Sequence, residues 1–386
     1  EMRFLPRVYL DHSATTPTRT EVAQLVMEYM TEKFGNPSTL YSYGREAKKA
    51  VERSREQVAG LVKATPEEII FTSGGTEGDN LALVGMARAY ARKGRHLITA
   101  AVEHPAVLDT CHYLARQGFA VTILPVDEDG TVSVAEVEKV LRPDTILISI
   151  MQVNNEVGTI EPVEEIGELA RARGVLFHID AVQAIGKVAV DVEALRADAL
   201  TGSGHKIYGP KGTGFLYLRK RVKLAPLVWG GGQERAFRPG TENVAGIAGL
   251  GLAAELAGQE LKTEMPRLAA LRNRLINGIL EKVEGTALNG PTVKRVPTNA
   301  NLRFDGVEGE ALLQAMDLKG ICVSSGSACS AGSVNPSHVL TAMGLTREEA
   351  LSSVRMTLGR ENTEEQIDYV LEELPQIVER LRRKAE

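Results

Sequence analysis

Val175-Leu176-Phe177-His178-Ile179-Asp180 is an apolar run that ends in a carboxylate, and 206 − 180 = 26 residues further on stands Lys206, in Thr201-Gly202-Ser203-Gly204-His205-Lys206. The run reads as a buried strand, with Gln183 just beyond its end. A carboxylate there is costly unless a cation or a strong donor faces it. Taken alone, Asp180 reads more readily as the N-cap of a helical segment over 181–185. The small residues around Lys206 let a ligand approach the backbone closely. Ile207 stands where a third glycine after Gly202 and Gly204 would be, and Gly209 to Gly214 has neither dinucleotide nor Walker spacing.

Working outward, short β-branched and apolar runs occur at 69–71, 96–100, 120–124, 145–150, 175–179, 198–200 and 215–218. Amphipathic segments such as 80–92 and 163–173 lie between them, the latter stopping before Gly174. Strands separated by helices predict an α/β fold with a mostly parallel sheet covered on both faces. Ligands of such sheets sit at the carboxyl ends of the strands. After Leu261 the pattern turns to long helices, including Leu268, Leu271, Leu275, Ile276 and Ile279, so a boundary is expected near 258–266. The last helix is expected to begin with a capping box of Thr363 and Gln366.

The 386 residues carry 45 Lys+Arg against 50 Asp+Glu, a formal charge of −5, so no basic excess points to nucleic acid. No apolar stretch approaches the ~20 residues of a membrane-spanning helix. The apolar segment in the first ten residues is too short for a secretion signal, which predicts a cytoplasmic address. Three cysteines, Cys111, Cys322 and Cys329, fit neither a disulfide framework nor a zinc ribbon. No metal site is expected, since His205 lies beside Lys206 rather than at ligand spacing.

Two further strand ends carry chemistry. The run 69–71 leads into Thr72-Ser73-Gly74-Gly75-Thr76-Glu77, where glycines expose N–H groups at a helix start and hydroxyls add donors, a pattern suited to an anion and equally to a capped turn. The run 96–100 leads to Glu103-His104-Pro105. An anion cradle at Gly75 and Thr76, a strand-end Asp180 and a glycine-flanked Lys206 together match one cofactor, pyridoxal 5′-phosphate. A lysine amine forms a Schiff base with its aldehyde, and an aspartate keeps its ring nitrogen protonated.

Beyond this, the chain resembles the cysteine desulfurases, the NifS/IscS-like family within class-V aminotransferases. The resemblance rests on 9–17 (YLDHSATTP), Gly35-Asn36-Pro37-Ser38, 72–77, Glu103-His104, Asn154-Asn155-Glu156, 180–183, 203–206, Arg238-Pro239-Gly240-Thr241, and above all Ser324-Ser325-Gly326-Ser327-Ala328-Cys329-Ser330. It implies an aspartate-aminotransferase-like (fold type I) transferase. A large domain over 16–262 with a mostly parallel seven-stranded sheet would bind pyridoxal 5′-phosphate. A smaller α+β C-terminal domain over 263–386 would carry the cysteine loop, with 1–15 packing against it. By the same resemblance Lys206 holds the cofactor, Asp180 pairs with the ring nitrogen and Gln183 donates to the ring phenolate. His104 stacks on the ring and assists proton transfer. Gly75, Thr76, Ser203 and His205 bind the phosphate, with Thr241 from a second subunit, which implies a homodimer. Asn155 lies near substrate and cofactor, and Arg355 clamps the substrate carboxylate.

The implied reaction converts L-cysteine to L-alanine, leaving sulfur on Cys329 as a persulfide for an iron–sulfur scaffold or another acceptor. The Ser/Gly/Ala-rich surroundings of Cys329 lack the apolar bulk to bury it, which suits an exposed nucleophile. Cys322 reads as a small strand hydrophobe and Cys111 as an ordinary helix residue. The chain departs from many relatives at Tyr41, where they have histidine, and His12 lies where they vary. Alternatives are a selenocysteine lyase, another class-V enzyme, or a non-catalytic docking protein; the joint presence of Lys206, Asp180, His104 and Arg355 argues against the last.

Overall fold

Parallel pairing requires a crossover to carry the chain back across the sheet each time, and within residues 69–218 helices supply the crossovers except at 181–198, which is made of turns. The computed structural model describes residues 7–325 and 335–385. Seven strands lie in the order Ile69–Thr72, Gly214–Leu218, Ala199–Ser203, Leu176–Asp180, Thr145–Ser149, His96–Ala100, Ala120–Leu124. Gly214–Leu218 runs antiparallel to both neighbours, and all other pairs are parallel. The carboxyl ends of six strands therefore open on one edge of the sheet.

Strand boundaries differ from the sequence reading where neighbours decide them. Thr201-Gly202-Ser203 is weakly strand-forming, yet Gly202 pairs with Phe215 and Ser203 with Gly214. The ladder of an adjacent strand outweighs local propensity. Residues after Asp180 form turns, not the helix that Asp180 taken alone would cap, and Asp180 Oδ1 accepts the Val182 N–H at 2.9 Å. The helix Val163–Arg173 does end at Gly174, whose left-handed φ of 66° closes it.

The helix Val244–Lys282 runs through the expected boundary. Its first half, including Ile247, Leu250 and Ala253, packs in the core beneath the large sheet, and its second half, Leu268, Leu271, Leu275 and Ile279, packs in a separate core. Pro266, which lacks an N–H, lies between the two halves. The second core is closed by the antiparallel strands Ser353–Thr357, Asn299–Phe304 and Thr286–Leu288. Val8 and Leu10 are buried in that core, and Val8–Tyr9 pairs with Ile321–Cys322. The terminal helix Glu364–Ala385 buries Ile367, Val370, Leu371, Leu374 and Val378. Only half of its expected capping box forms: Thr363 accepts the Gln366 N–H at 3.3 Å, but the Gln366 side chain accepts from Asn362 instead. Among the described residues no helix is long and apolar enough to cross a membrane.

Candidate active site

Each cofactor- or substrate-site candidate in the large domain, Thr241 apart, lies at or just past a strand's carboxyl end. Thr72 leads to Gly74-Gly75-Thr76, Ala100 to His104, Ser149 to Asn155, Asp180 to Gln183, and Ser203 to His205 and Lys206. Gly74 has φ 153°, a conformation that side chains rarely adopt. A Cβ on Gly214 would sit 2.7 Å from the Gly74 Cα, so the two backbones meet as closely as glycines allow. The helix Gly75–Tyr90 then starts with no side-chain cap, and its leading N–H groups and dipole favour an anion. Buried Ser203 stands next to this turn, its Oγ 3.9 Å from where a Gly74 Cβ would be.

Asp180 is buried, which raises its pKa, while nearby His104 and Lys206 pull it back down. Asp79 lies behind it, 1% exposed, and its carboxyl is pushed well above the usual range by burial and then by Asp180. We read Asp79 as the neutral member of this pair, because the cationic groups lie on the Asp180 side. His178 Nε2 is 3.6 Å from Asp79, and the ring also bonds Thr201 and Ser149. Complete burial lowers its pKa to about 3, so His178 is neutral.

His104 caps its helix through Nδ1, which accepts the Ala106 N–H at 3.1 Å, so a neutral ring carries its proton on Nε2. Its pKa is lowered, first by burial and then by Lys206 and His338, against the opposing pull of Asp180. His205 Nδ1 lies 3.1 Å from Thr15 Oγ1, and burial followed by Lys206, Lys211 and Lys187 lowers it to about 4. Lys206 Nζ donates to the carbonyls of Ser13 and, at 2.7 Å, Ala14. Gln183 Nε2 also donates to the Ser13 carbonyl, at 3.0 Å. The Ser13-Ala14-Thr15-Thr16 segment thus packs directly against the lysine.

Arg355 reaches this edge from the other core. It is 2% exposed, donating through Nη1 to the Asn155 carbonyl at 3.0 Å and through Nη2 to Asp11 at 2.9 Å. The described ends flanking the cysteine segment are anchored here too. Ser324 pairs with Arg355, Ser337 Oγ donates to the Glu156 carboxylate, and His338 Nε2 donates to the Glu103 carbonyl at 2.9 Å. Cys329 itself lies outside the described residues. Thr241 is exposed in the loop before helix Val244–Lys282, where Arg238 pairs with Glu77 at 2.8 Å.

Sequence reasoning gave no role to Asp11, quoted only within 9–17, or to Asp79 and Lys187, and left His338 as a structural or surface residue. Only Lys187 left a local sign, four residues after Gln183 in a turn, and Lys187 Nζ indeed donates to Gln183 Oε1 at 2.6 Å. Cys111 is buried in helix Pro105–Arg116, Cys322 is half-buried in a strand, and Lys211 is exposed. Tyr41 is exposed, while His12 is buried with Nδ1 2.9 Å from the Thr357 carbonyl. Among the described residues no cluster of three metal-ligating side chains occurs.

A sheet of this order with an amine and a buried carboxylate at its carboxyl edge defines a transferase of the pyridoxal-phosphate, aspartate-aminotransferase-like fold. Residues 8–370 match the family described as aminotransferase class-V. The cysteine desulfurase IscS of Clostridium botulinum is 51% identical over 378 residues, 97% of this chain and 95% of that one. A solved NifS-like protein superposes with a TM-score of 0.92 at 39% identity, covering 97% of this chain and all of that one. A second solved structure, SspA in complex with cysteine, has a TM-score of 0.81 at 36% identity over 91% of this chain and 98% of that one. The chain belongs to the class-V aminotransferase family, within its NifS/IscS-like cysteine desulfurases.

That family implies a pyridoxal 5′-phosphate cofactor, and the residues fit it. An uncapped helix start with two adjoining glycines suits a phosphate, an amine suits an aldehyde, and a buried carboxylate suits a protonated ring nitrogen.

Proposed function

We propose that the protein is a cysteine desulfurase that takes sulfur from L-cysteine and releases L-alanine. The observation that carries this reading is the meeting of Lys206, Asp180 and Arg355 at one edge of the sheet, from three strands and two cores. Pyridoxal 5′-phosphate, when bound, supplies a sink for the electron pair left at the substrate Cα. Gly75, Thr76, Ser203 and His205 would hold its phosphate, joined by Thr241 of a second copy. Asp180 would face the ring nitrogen, Gln183 Nε2 would donate to the phenolate, and Lys206 would bond the aldehyde carbon.

Arg355 and Asn155 receive the substrate carboxylate. Arg355 is pre-oriented by the Asn155 carbonyl and Asp11, so little ordering remains when substrate arrives. Lys206 Nζ would take the α-proton, and His104, with its proton on Nε2, would serve later proton movements. Cys329 then takes the sulfur: one S–S bond forms, the substrate C–S bond breaks, and L-cysteine plus the thiol become L-alanine plus a persulfide. An iron–sulfur scaffold or another thiol acceptor receives that sulfur in a cytoplasmic setting.

Purified protein given L-cysteine and a reductant is expected to release alanine and sulfide together. The Cys329→Ala variant should keep its cofactor absorption yet form no persulfide. Sulfur release at the parental rate from that variant would remove Cys329 from the mechanism.

The same proposal includes a homodimer. Met27, Met30, Phe34 and Leu40 are exposed around the helix Thr20–Thr31, and Trp229, the sole tryptophan, is 77% exposed. A second copy covering these residues should shift Trp229 emission to shorter wavelength as dimers form. Sedimentation as a monomer at micromolar concentration would contradict this.

A further inference from the structure

Lys187 is a buried lysine with no part in the reaction as described above. Its Nζ donates to Gln183 Oε1 at 2.6 Å, and Gln183 Nε2 donates at 3.0 Å to the Ser13 carbonyl, which also accepts from Lys206. The chain Lys187–Gln183–Ser13–Lys206 therefore ends on the amine that the proposed function assigns to the cofactor. A lysine ammonium offers donors only, and a carbonyl offers an acceptor only. The Gln183 amide thus has one orientation that satisfies both ends.

We infer that Lys187 is a positioning residue for the desulfurase reaction, holding Gln183 Oε1 so that Nε2 stays on the Lys206 side, ready to donate to the cofactor phenolate. This rests on the role proposed for Gln183. Without Lys187, Oε1 is left buried without the donor it has here, and nothing then fixes which end of the amide faces Lys206. The ammonium also polarises the amide and strengthens its N–H as a donor.

The surroundings agree. Burial, then Lys206 and Arg355, lowers the Lys187 pKa to about 7, and Nζ is oriented by its bond to Gln183 Oε1. Lys187 and Lys206 share a cavity of about 40 Å³ at the junction of the two cores. The other charged or titratable groups around it are His12, Arg19, Tyr208, Glu260, Glu264 and Arg360. Arg19 and Glu260 are paired with each other at 2.8 Å, and neither carboxylate bonds Lys187.

The test uses holoenzyme and follows its visible absorption against pH. A donor to the phenolate lowers the midpoint of that titration, because it favours the deprotonated form. Gln183→Leu is expected to raise the midpoint by about one pH unit, the scale of one hydrogen bond to a charged group. Lys187→Met should raise it by a comparable amount, but by much less when added to Gln183→Leu. An equal Lys187→Met shift in both backgrounds, or none in either, overturns the inference while leaving the Gln183 role standing. An unmoved midpoint in Gln183→Leu overturns both. Methionine matches the volume of the buried lysine stem, and Lys187→Leu, run in parallel, covers poor accumulation of the first variant.

Discussion

Replacing Lys206 by alanine is expected to lower alanine release from L-cysteine by about 10²–10⁴-fold, the range attributed to a single positioned general base. The larger end is expected, because the same amine also anchors the cofactor. Other bases at this edge do not substitute for it. Burial and neighbouring cations lower both His104 and His205, and His104 Nδ1 is committed to the Ala106 N–H. Lys187 is held by Gln183. Borohydride reduction followed by peptide mapping should tag Lys206 in the parent and nothing in the variant. Activity within tenfold of the parent, or a tag on another lysine, would contradict the assignment.

Arg55→Leu is expected to destabilise the fold by about 3–5 kcal/mol, the cost of leaving one member of a buried ion pair alone. Arg55 donates twice to Glu234, at 2.8 and 2.7 Å, with side chains only 10% and 4% exposed. Arg55 also donates to the Ile69 carbonyl at 2.9 Å, and Glu234 accepts the Phe71 N–H at 2.8 Å. The pair thereby clamps the edge strand Ile69–Thr72, which leads straight into the Gly74–Thr76 cradle. It also holds Glu234, Arg235 and Ala236, three successive non-glycine residues with left-handed φ of 45°, 55° and 62°. Each is a strained conformation that persists only under such restraint. Urea unfolding measures the loss, and Arg55→Leu with Glu234→Leu should recover part of it, since no charge is then buried alone. A single-variant loss below about 1 kcal/mol, as for a surface pair, would show the clamp to be ineffective.

How much of the site was legible follows from where its parts lie in the chain. Asp180, Lys206, His104 and Gly75-Thr76 each follow a strand within a few residues, so a strand-by-strand reading reaches them. Asp11 and Arg355 are separated by 344 positions, and Arg55 and Glu234 by 179. No periodicity or motif links residues so far apart. Asp79 reads locally as one more polar residue on helix Gly75–Tyr90. It matters only because that helix presses on the strand Ala199–Ser203, closely enough that a Cβ on Gly78 would lie 2.6 Å from Thr201.

Alternation of strand-like and helix-like runs by itself determined the parallel sheet, and the short-range order of residues determined which strand ends bear reactive groups. Both follow from local backbone propensity and from the period of apolar side chains. Packing alone decided that Thr201–Ser203 completes a strand, that Arg355 arrives from a separate core already held by Asp11, and that Lys187 bears on Gln183 behind the reactive amine. Those outcomes depend on which groups lose water together. That is settled by three-dimensional contact and not by sequence order.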